Sequence, residues 1–377
     1  MSSILNSFGC QADYPELSIL KSKELIPKKN VILIVVDGLG YEFLNKGFAG
    51  SLLHGGVRGK ISSVFPSTTA TAITTFLTGT APQQHGITGW NMWLKELGVI
   101  STILPFTSRM GVSLSSPFDV AKKIFKHPSV FEQIKSQSFY ITPKKISNSA
   151  YTLAHTGNSK KIAINGLGEL FQSIAKSVKE NNRKKYIYAY WNQYDSIAHS
   201  NGFDSSAAIF HIEQIQGYLK SLMLQLKDTS SMVIITADHG FTNTAKEFTI
   251  ELKNHPELVS CLTLPLCGES RAAYCYVKSS KKEKFETYIQ NNLSDFMELH
   301  SSEELWKAGL FGTGHSHDLL LDRIGDYILL MKENYILKDF LLTEEEHFYD
   351  GRHGGCSENE MFVPLIVYDF NGKETEE

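Results

Sequence analysis

The sequence contains no apolar run long enough to cross a membrane. Its longest apolar stretches, such as residues 31–36, have the length of a β-strand, whereas a membrane helix needs about 18 apolar residues or more. Residues 1–24 also lack the basic start and long apolar stretch that are typical of a signal peptide. These absences predict no membrane span and, by default, a cytoplasmic location, with export by an atypical route left open.

Paired cysteines and an excess of one charge are also lacking. The five cysteines are odd in number and show no Cys-x-x-Cys spacing, which is typical of unpaired thiols in a reducing compartment. The formal net charge is only -3 at pH 7, so we expect no stable nucleic-acid partner. A small anionic ligand needs local positive charge, which bound metal ions can supply.

Strand-length apolar runs alternate with segments of helical periodicity along the 377 residues. Continuous apolar runs indicate strands that are buried on both faces of a parallel sheet. We therefore predict an α/β fold with a doubly wound, mostly parallel sheet and helices on both faces. The predicted strands cover residues 31–36, 186–191, 232–236, 272–277, 324–331 and 362–368, and the predicted helices cover residues 70–77, 167–180, 205–226 and 281–292.

The pattern of apolar residues changes near residue 262 and returns to the first pattern near residue 343. We interpret residues 262–342 as a small α+β cap that is inserted into the catalytic domain. That domain would then comprise residues 1–261 and 343–377. Ligands of such sheets bind beyond the carboxyl ends of the strands, so residues that follow strands are the first candidates for a site.

Two of the predicted strands end in residues that can bind a metal ion. Asp37 follows the first of them, and Asp238 and His239 follow the strand that ends at residue 236. Gly240 permits the sharp bend that would let both of these side chains face one ion. Each pattern is also compatible with a polar turn, so neither identifies a site alone.

Three further residues extend this set. Asp195 and His199 are four positions apart, so in a helix both side chains lie on one face, although a surface pair has the same spacing. His353 lies in a glycine-rich turn near the C-terminus. Together the three aspartates and three histidines offer the oxygen and nitrogen ligands that zinc prefers. Two metal ions about 4 Å apart can hold the attacking and leaving oxygens of a phosphoryl transfer.

The segment Phe65-Pro-Ser-Thr-Thr-Ala provides a candidate nucleophile. The helix predicted at residues 70–77 begins at its end, which places a hydroxyl group at the positive end of the helix dipole. Threonines at this position also serve simply as helix caps. The candidates are Thr69 and, as the alternative, Thr68.

The order of these motifs resembles the type I phosphodiesterase/nucleotide pyrophosphatase family of the alkaline phosphatase superfamily. The resemblance covers residues 30–368 and depends most on the Pro-Ser-x-Thr and Asp-His-Gly segments, with Thr78-Gly79 and His85-Gly86-Ile87 between them. It implies an alkaline phosphatase-like fold in which Thr69 is the nucleophile. It also implies two divalent metal ions, with zinc first, held by Asp37, Thr69, Asp238 and His239 at one site and by Asp195, His199 and His353 at the other.

The resemblance implies a two-zinc hydrolase that cleaves phosphodiester or pyrophosphate bonds through a covalent phosphothreonine intermediate. The expected partner is a small phosphate ester or a nucleotide. A phosphomonoesterase, a phosphonate hydrolase or a metal-dependent mutase of the same superfamily would share these ligands, and a catalytically silent phospho-ligand binding protein would share the fold. A sulfatase is disfavoured, because no Cys/Ser-x-Pro-x-Arg stands at the nucleophile position.

Several residues around this set bear on substrate recognition. The family that this sequence resembles usually has an asparagine three residues after the nucleophile, which helps to hold the phosphate oxygens, but Ala72 stands at that position here. Asn91 and Asn192 are therefore the candidate donors, and the loss of such a donor costs about 10²–10³ in rate. Arg271 is a candidate for bidentate binding of a phosphate or a carboxylate. Four aromatic residues either form a wall on which a base stacks or fill the core: Trp90, Trp93, Tyr190 and Trp191.

We interpret the remaining polar residues of the cap as structural. His315 and His317 are expected to be polar cap residues rather than zinc ligands, because seven other positions already supply the ligands. Arg323 is expected to belong to a turn that leads into a strand.

Overall fold

The computed structural model describes residues 1–115, 120–342 and 344–372. The strands are β1 (Asn30–Val36), β2 (Val57–Ser62), β3 (Asn91–Leu94), β4 (Val99–Thr102), β5 (Thr107–Ser108), β6 (Gln137–Pro143), β7 (Lys160–Ile164), β8 (Lys185–Trp191), β9 (Thr229–Thr236), β10 (Thr242–Asn243), β11 (Thr249–Glu251), β12 (Cys267–Gly268), β13 (Ala272–Cys275), β14 (Met297–Ser301), β15 (Tyr327–Met331), β16 (Ile336–Lys338), β17 (Gly351–Arg352) and β18 (Phe362–Gly372). The α-helices are α1 (Ser2–Ser7), α2 (Ser22–Leu25), α3 (Tyr41–Gly47), α4 (Leu52–Gly55), α5 (Thr69–Thr78), α6 (Pro82–His85), α7 (Val120–Ile124), α8 (Val130–Gln133), α9 (Ala150–His155), α10 (Leu167–Lys179), α11 (Gln193–Asn201), α12 (Ser206–Leu226), α13 (Pro256–Cys261), α14 (Lys282–Asn292), α15 (Ser302–Lys307), α16 (Leu320–Ile324) and α17 (Glu358–Met361). Short 3-10 helices cover Lys246–Phe248, Leu252–Asn254 and Ser279–Lys281.

The central sheet has seven strands in the order β2-β18-β9-β1-β8-β6-β7. β1 pairs in parallel with β8 and β9, and β6 pairs in parallel with β7 and β8. β18 runs against both of its neighbours, β9 and β2. Every residue of β1 and β8 is buried, which is why these strands are continuous apolar runs in the sequence. The predicted α/β fold with a mostly parallel sheet is confirmed.

Alternate residues of β1 pack into two different cores on the two faces of this sheet. Ile32 and Ile34 belong to the core that includes residues of α10 and α12, such as Ile174. Val31 and Leu33 belong to the core that includes residues of α5 and α8. Helices therefore cover both faces, as the doubly wound prediction requires.

A second sheet has seven strands in the order β14-β15-β13-β12-β3-β4-β5. Residues 262–342 supply β12 to β15, and residues 91–108 supply β3 to β5. The segment that follows the candidate nucleophile helix is therefore part of this sheet, through the pairing of Gly268 with Asn91. Among the described residues, no helix combines the length and the apolar character needed to cross a membrane. The five cysteines are unpaired.

One predicted strand was wrong at its start. The strand expected at residues 324–331 begins only at Tyr327, because Ile324 is the last residue of α16. Gly325 separates the two elements with a φ of 71°, in the left-handed region that glycine adopts readily. A Cβ at this glycine would also meet the carbonyl oxygen of Cys275 at 2.8 Å, so the break is built into the packing against β13.

Candidate active site

The acidic and histidine residues predicted from the sequence meet at one edge of the central sheet. β9, β1 and β8 are neighbours in that sheet and run in the same direction. Asp37 follows β1, Asp238 follows β9, and Asp195 lies in α11 directly after β8. Because their carboxyl ends lie at the same edge, short connections bring the three carboxylates together.

The first cluster surrounds the Nε2 atom of His239. This atom lies 3.3 Å from Oδ1 of Asp37, 3.4 Å from Oδ2 of Asp238 and 3.1 Å from Oγ1 of Thr69. The aspartate and histidine side chains are at most 2% exposed. Thr69 is the first residue of α5 and Thr68 is its N-cap residue, so the contact with His239 distinguishes Thr69 from the other candidate.

The second cluster consists of Asp195, His199 and His353. Oδ1 of Asp195 lies 3.4 Å from Nε2 of His199 and 3.8 Å from Nε2 of His353, and the two Nε2 atoms are 3.2 Å apart. The Nδ1 atoms of the two histidines face backbone oxygens, of Gly351 at 2.8 Å and of Ser67 at 3.2 Å. A proton held on Nδ1 by such a contact leaves the lone pair of Nε2 for a metal ion.

Burial makes the charges of this site costly. Burial, followed by the charge of Asp37, raises the pKa of Asp238 to about 8, and burial raises the pKa of Asp195 to about 7. Burial opposes protonation of His239, but the carboxylates of Asp238 and Asp37 raise its pKa to about 10. Burial lowers the pKa of His199 to about 3, so this imidazole is neutral.

The donor atoms of the two clusters fit divalent metal ions. Oδ1 of Asp37, Oδ1 of Asp195 and Oδ2 of Asp238 are buried without a hydrogen-bond partner, which is costly for a carboxylate that nothing neutralises. Asp37, Asp238 and His239 each place one ligand atom within 4.8 Å of the others, and so do Asp195, His239 and His353. Clustered oxygen and imidazole donors of this kind are the ligands of zinc.

A cavity of about 570 Å³ opens above these residues. Thr68, Thr69, Asp195, His199 and His353 lie in its wall. Residues from the second sheet and from the chain after it complete the wall, including Trp90, Asn91, Glu269, Lys338 and Arg352. The reactive edge of the central sheet and the second sheet thus enclose one binding space.

Of the two interpretations left open for the four aromatic residues, the stacking wall fits only Trp90, and core packing fits the other three. Trp90 lines the cavity and is 38% exposed. Tyr190 is buried and donates its hydroxyl hydrogen to Oδ2 of Asp37, and Trp191 is buried and donates to Nε2 of His211 at 2.9 Å. Trp93 packs against a core of the second sheet. The rings other than Trp90 therefore serve packing and the orientation of one carboxylate.

The interpretation of Arg271 as a ligand-binding residue is also wrong. Its guanidinium donates two hydrogen bonds of 2.9 Å to the carboxylate of Glu360 and one to the carbonyl oxygen of Tyr335. The pair is almost fully enclosed, with exposures of 1% and 0%. Glu360 also accepts a hydrogen bond from the backbone of Gly355, so the pair fixes the turn that follows His353.

Replacing Arg271 with methionine is expected to lower the free energy of unfolding by about 3–5 kcal/mol, because it leaves the carboxylate of Glu360 buried without its counterion. Urea denaturation would measure this change. The matched control is Arg58→Met, which breaks a pair with Glu24 that is about one-third exposed on both sides and should cost about 1 kcal/mol or less. Equal losses in the two variants would show that the buried pair does not hold the turn.

Two of the other polar residues of the predicted cap, His317 and Arg323, have structural contacts. His315 is exposed, and Nδ1 of His317 accepts a hydrogen bond from the backbone of Leu319. Arg323 donates to the carbonyl oxygen of Gly86 at 2.9 Å and pairs with Glu96. It thus holds the loop that follows α6, in keeping with its predicted structural role, although it lies in α16 and not in the turn that the sequence suggested.

Among the charged residues of the cavity wall that sequence reasoning missed are Glu269, Lys338 and Arg352. Arg352 precedes His353 directly, so its position was visible in the sequence. Lys338 and Glu269 carried no such signal, because they come from β16 and from the turn between β12 and β13.

Comparisons with known proteins agree with this geometry. The model of the protein family type I phosphodiesterase / nucleotide pyrophosphatase matches residues 31–355 of the sequence. Murine ectonucleotide pyrophosphatase / phosphodiesterase 5 has 17% sequence identity and a TM-score of 0.66, over 89% of this chain and 87% of that chain. An inactive threonine-to-alanine variant of the murine protein in complex with AMP has 17% identity and a TM-score of 0.65, over 90% and 87% of the two chains.

A bacterial structure is similar to the same extent. Phosphonoacetate hydrolase from Sinorhizobium meliloti 1021, in complex with phosphonoformate, has 17% identity and a TM-score of 0.65, over 92% of both chains. A search of curated protein sequences finds no match. Family membership supports a phosphodiester or pyrophosphate hydrolase activity, and the clustered aspartate and histidine side chains are candidate metal ligands. The chain belongs to the type I phosphodiesterase / nucleotide pyrophosphatase family.

Proposed function

We propose that this protein hydrolyses phosphodiester or pyrophosphate bonds of small molecules, in particular nucleotides, with Thr69 as the nucleophile. The observation that carries the proposal is the position of the Thr69 hydroxyl, 3.1 Å from Nε2 of His239 and in the wall of the cavity. A hydroxyl at the start of a helix, beside metal-binding side chains, is placed to act on a phosphoryl group.

The proposed ligands form two sets. Asp37, Asp238 and His239, together with Thr69, would hold one metal ion. The second ion would be held by Asp195, His199 and His353, and zinc is the metal that best fits these donors. When bound, two such ions supply positive charge that neutralises the carboxylates, polarises the phosphoryl oxygens and lowers the pKa of the Thr69 hydroxyl.

The proposed reaction has two steps at phosphorus. Oγ1 of Thr69 gives up its proton to solvent and forms a bond to phosphorus, while the bond to the leaving oxygen breaks and its electrons stay on that oxygen, which takes up a proton from solvent. Water then attacks the phosphothreonine, releases the phosphoryl product and restores the hydroxyl of Thr69. Tyr190 keeps the carboxylate of Asp37 in place by donating a hydrogen bond to its Oδ2.

Asn91 is the proposed donor to the phosphoryl oxygens in place of Ala72. Asn91 lines the cavity, and its Oδ1 accepts a hydrogen bond from Oγ1 of Thr102 at 2.9 Å. This contact occupies the acceptor of the amide and leaves the Nδ2 hydrogens to donate. Asn192, the other candidate, is the N-cap residue of α11 and is not among the residues of the cavity wall.

A nucleotide substrate is supported by the exposed ring of Trp90 in the cavity and by AMP in the complex of the murine protein. Replacing Trp90 with alanine is expected to weaken competitive inhibition by AMP about tenfold, because stacking of one base on an aromatic ring contributes about 1–3 kcal/mol. Inhibition by inorganic phosphate, which has no base, should change much less. An equal change for both inhibitors would remove base stacking from the proposal.

Side-by-side hydrolysis of bis-p-nitrophenyl phosphate and p-nitrophenyl phosphate by the zinc-loaded protein tests the proposed function. We expect faster turnover of the diester and loss of that turnover after chelation. Preference for the monoester would instead indicate a phosphatase with the same site. Metal binding without turnover of either compound would indicate a phosphonate hydrolase or a silent phospho-ligand binding protein.

A further inference from the structure

Two cationic side chains in the cavity wall have no role in the proposed chemistry. Lys338 is the last residue of β16, and Arg352 is the last residue of β17. Each of these strands is held by a short ladder, β16 by pairing with β11 and β17 by pairing with β10. Both side chains line the cavity, and Arg352 immediately precedes His353.

Arg352 is buried without a counterion. It is only 7% exposed, and its Nε and Nη2 atoms have no hydrogen-bond partner. Its guanidinium lies over the ring of Tyr349, with Cζ 4.5 Å from the ring centre. This contact orients the guanidinium but satisfies none of its N–H donors. A nearly buried guanidinium with free donors is costly unless a ligand uses them.

Lys338 is partly buried, and it also lacks an ion-pair partner within the described part of the chain. Among the described residues, its amino group makes neither a hydrogen bond nor an ion pair. Burial, followed by the positive charge of Arg352, lowers its pKa to about 8. Two cations thus occupy one cavity, and each adds to the cost of the other.

The charges of Glu269 and Asp339 act on Lys338, and that of Glu269 also acts on Arg352, but no acidic residue in the described part of the cavity wall forms an ion pair with either cation. Asp339 and Glu344 both pair with Arg109 at 2.7 Å, so this third cation is neutralised. Glu269 accepts a hydrogen bond from the backbone of Trp90 at 2.7 Å, and burial raises its pKa to about 7. Glu345 is exposed. The cavity therefore keeps two cations that no carboxylate of the described residues pairs with.

We propose that Lys338 and Arg352 form a subsite for a second anionic group of the substrate, next to the phosphoryl group that reacts at Thr69. The proposal rests on the proposed function and narrows its substrate class. The preferred substrate then carries a phosphoryl or carboxylate oxyanion close to the reacting phosphorus, as a pyrophosphate diester or a carboxylated phosphonate does. A simple phosphodiester leaves both cations without a partner.

The position of Arg352 in the chain supports a second anionic group next to the reacting phosphoryl group. Its neighbour His353 belongs to the second metal-binding cluster, so the reacting phosphoryl group and the subsite share the segment Gly351–Arg352 and the residue after it. A second anion one or two bonds from the reacting phosphorus can therefore reach both side chains. Planar guanidinium and ammonium donors together suit either a carboxylate or a phosphoryl group.

The first test compares the kcat/KM of two substrates in the metal-loaded protein. The two substrates are a P1,P2-dinucleoside diphosphate, which has a second phosphoryl group, and bis-p-nitrophenyl phosphate, which has none. We expect Lys338→Met to lower kcat/KM for the diphosphate by about 10- to 100-fold more than it lowers kcat/KM for the simple diester. This is the range for one hydrogen bond to a charged group. The control Lys332→Met removes a lysine of the same region that bonds the carbonyl oxygen of Ser294 and should leave both substrates unchanged.

The second test measures binding and does not depend on turnover. Intrinsic tryptophan fluorescence, to which Trp90 in the cavity wall contributes, would follow titration with methylphosphonate, which has one anionic group, and with phosphonoacetate, which adds a carboxylate. Binding of phosphonoacetate at least tenfold tighter than that of methylphosphonate, with the difference lost in Lys338→Met, would identify a carboxylate as the second anion. A selective loss on the diphosphate alone would identify a phosphoryl group.

The two proposals fail in different ways. Equal losses on both substrates, together with equal binding of both phosphonates in the wild-type protein, would overturn the subsite while the Thr69 chemistry stands. A protein that hydrolyses neither substrate but still binds phosphonoacetate through Lys338 would keep the subsite and overturn the proposed function. Lys338→Arg, which preserves the charge, should recover part of the selective loss, whereas a purely structural role of Lys338 predicts no such recovery.

Discussion

Replacing Thr69 with alanine is expected to reduce kcat/KM for bis-p-nitrophenyl phosphate by about 10⁴-fold or more, because the variant lacks the hydroxyl that we propose as the nucleophile. The hydroxyl of Thr69 lies beside Nε2 of His239, so its removal takes away the nucleophile without disturbing the buried carboxylates. Thermal unfolding should stay close to that of the wild-type protein. Metal content should also change little, because Asp37, Asp238 and His239 remain as three ligands of the metal site that Thr69 is proposed to share.

Thr68→Ala is the matched control for this experiment. Thr68 is also buried in the cavity wall, but it makes no side-chain cap bond to α5, so its hydroxyl can be removed at small cost to the helix. We expect Thr68→Ala to keep turnover within about tenfold of the wild-type value, since the loss of a single neutral hydrogen bond costs about 0.5–1.5 kcal/mol. The reverse pattern, with Thr68 essential and Thr69 dispensable, would assign the nucleophile to Thr68. Thr69→Ser should retain measurable turnover, because it keeps the hydroxyl.

The fold was predictable because its strands are buried on both faces. β1, β8 and β9 appear in the sequence as uninterrupted apolar runs, and each leads into polar residues that the site uses. The position of these residues after parallel strands, more than their identity, predicted that Asp37, Asp195 and Asp238 would approach one another. The spacing of Asp195 and His199 likewise predicted a shared helix face, and both residues lie in α11.

Contacts between distant residues were not predictable in this way. The sequence suggested that Arg271 binds a ligand, but its partner Glu360 lies 89 positions later, and only the folded chain shows that the two charges are buried together. Trp191 likewise faces His211 rather than the cavity. A free arginine and a paired arginine look the same in a sequence, and the same holds for the unpaired cations Lys338 and Arg352.

The position of residues 91–108 in the second sheet was also not predictable, because it depends on contacts between distant residues. β3 pairs with β12 through Asn91 and Gly268, and this pairing joins segments that are more than 170 positions apart. It places Trp90 and Asn91 in the cavity wall. Local sequence patterns predict strands, whereas the pairing of distant strands depends on how their side chains pack in the folded protein.

Removal of the metal ions is expected to abolish turnover and to lower the stability of the fold. Three carboxylates with buried, unpartnered oxygens then face one another, those of Asp37, Asp195 and Asp238. Zinc at 1,000 times its dissociation constant would stabilise the folded state by about 4 kcal/mol per site, so chelation should lower the melting temperature by several degrees. Calorimetry of zinc-loaded and chelated protein measures this difference, and identical melting curves would argue against bound metal.

The variant Asp238→Asn tests whether Asp238 is a metal ligand or is needed only for folding. The two roles predict opposite signs for the change in stability of the metal-free protein. In the metal-free protein, burial and the charge of Asp37 raise the pKa of Asp238 to about 8, so the carboxylate form is disfavoured. Asparagine keeps the oxygen that accepts hydrogen bonds from the backbones of Gly38 and His239 and carries no charge. Metal-free Asp238→Asn should therefore be more stable than the metal-free wild-type protein, by about 1–3 kcal/mol.

In the presence of zinc the order should reverse, because the variant loses a negatively charged ligand and with it most of the stabilisation by that ion. Turnover should fall by at least about 10²-fold for the same reason. Asp322→Asn is the matched control, since that carboxylate is 36% exposed and pairs with the exposed Lys95, and its effect should stay within about 0.5 kcal/mol with or without metal. A loss of stability in Asp238→Asn that is the same in both conditions would mean that Asp238 supports the turn after β9 and binds no ion.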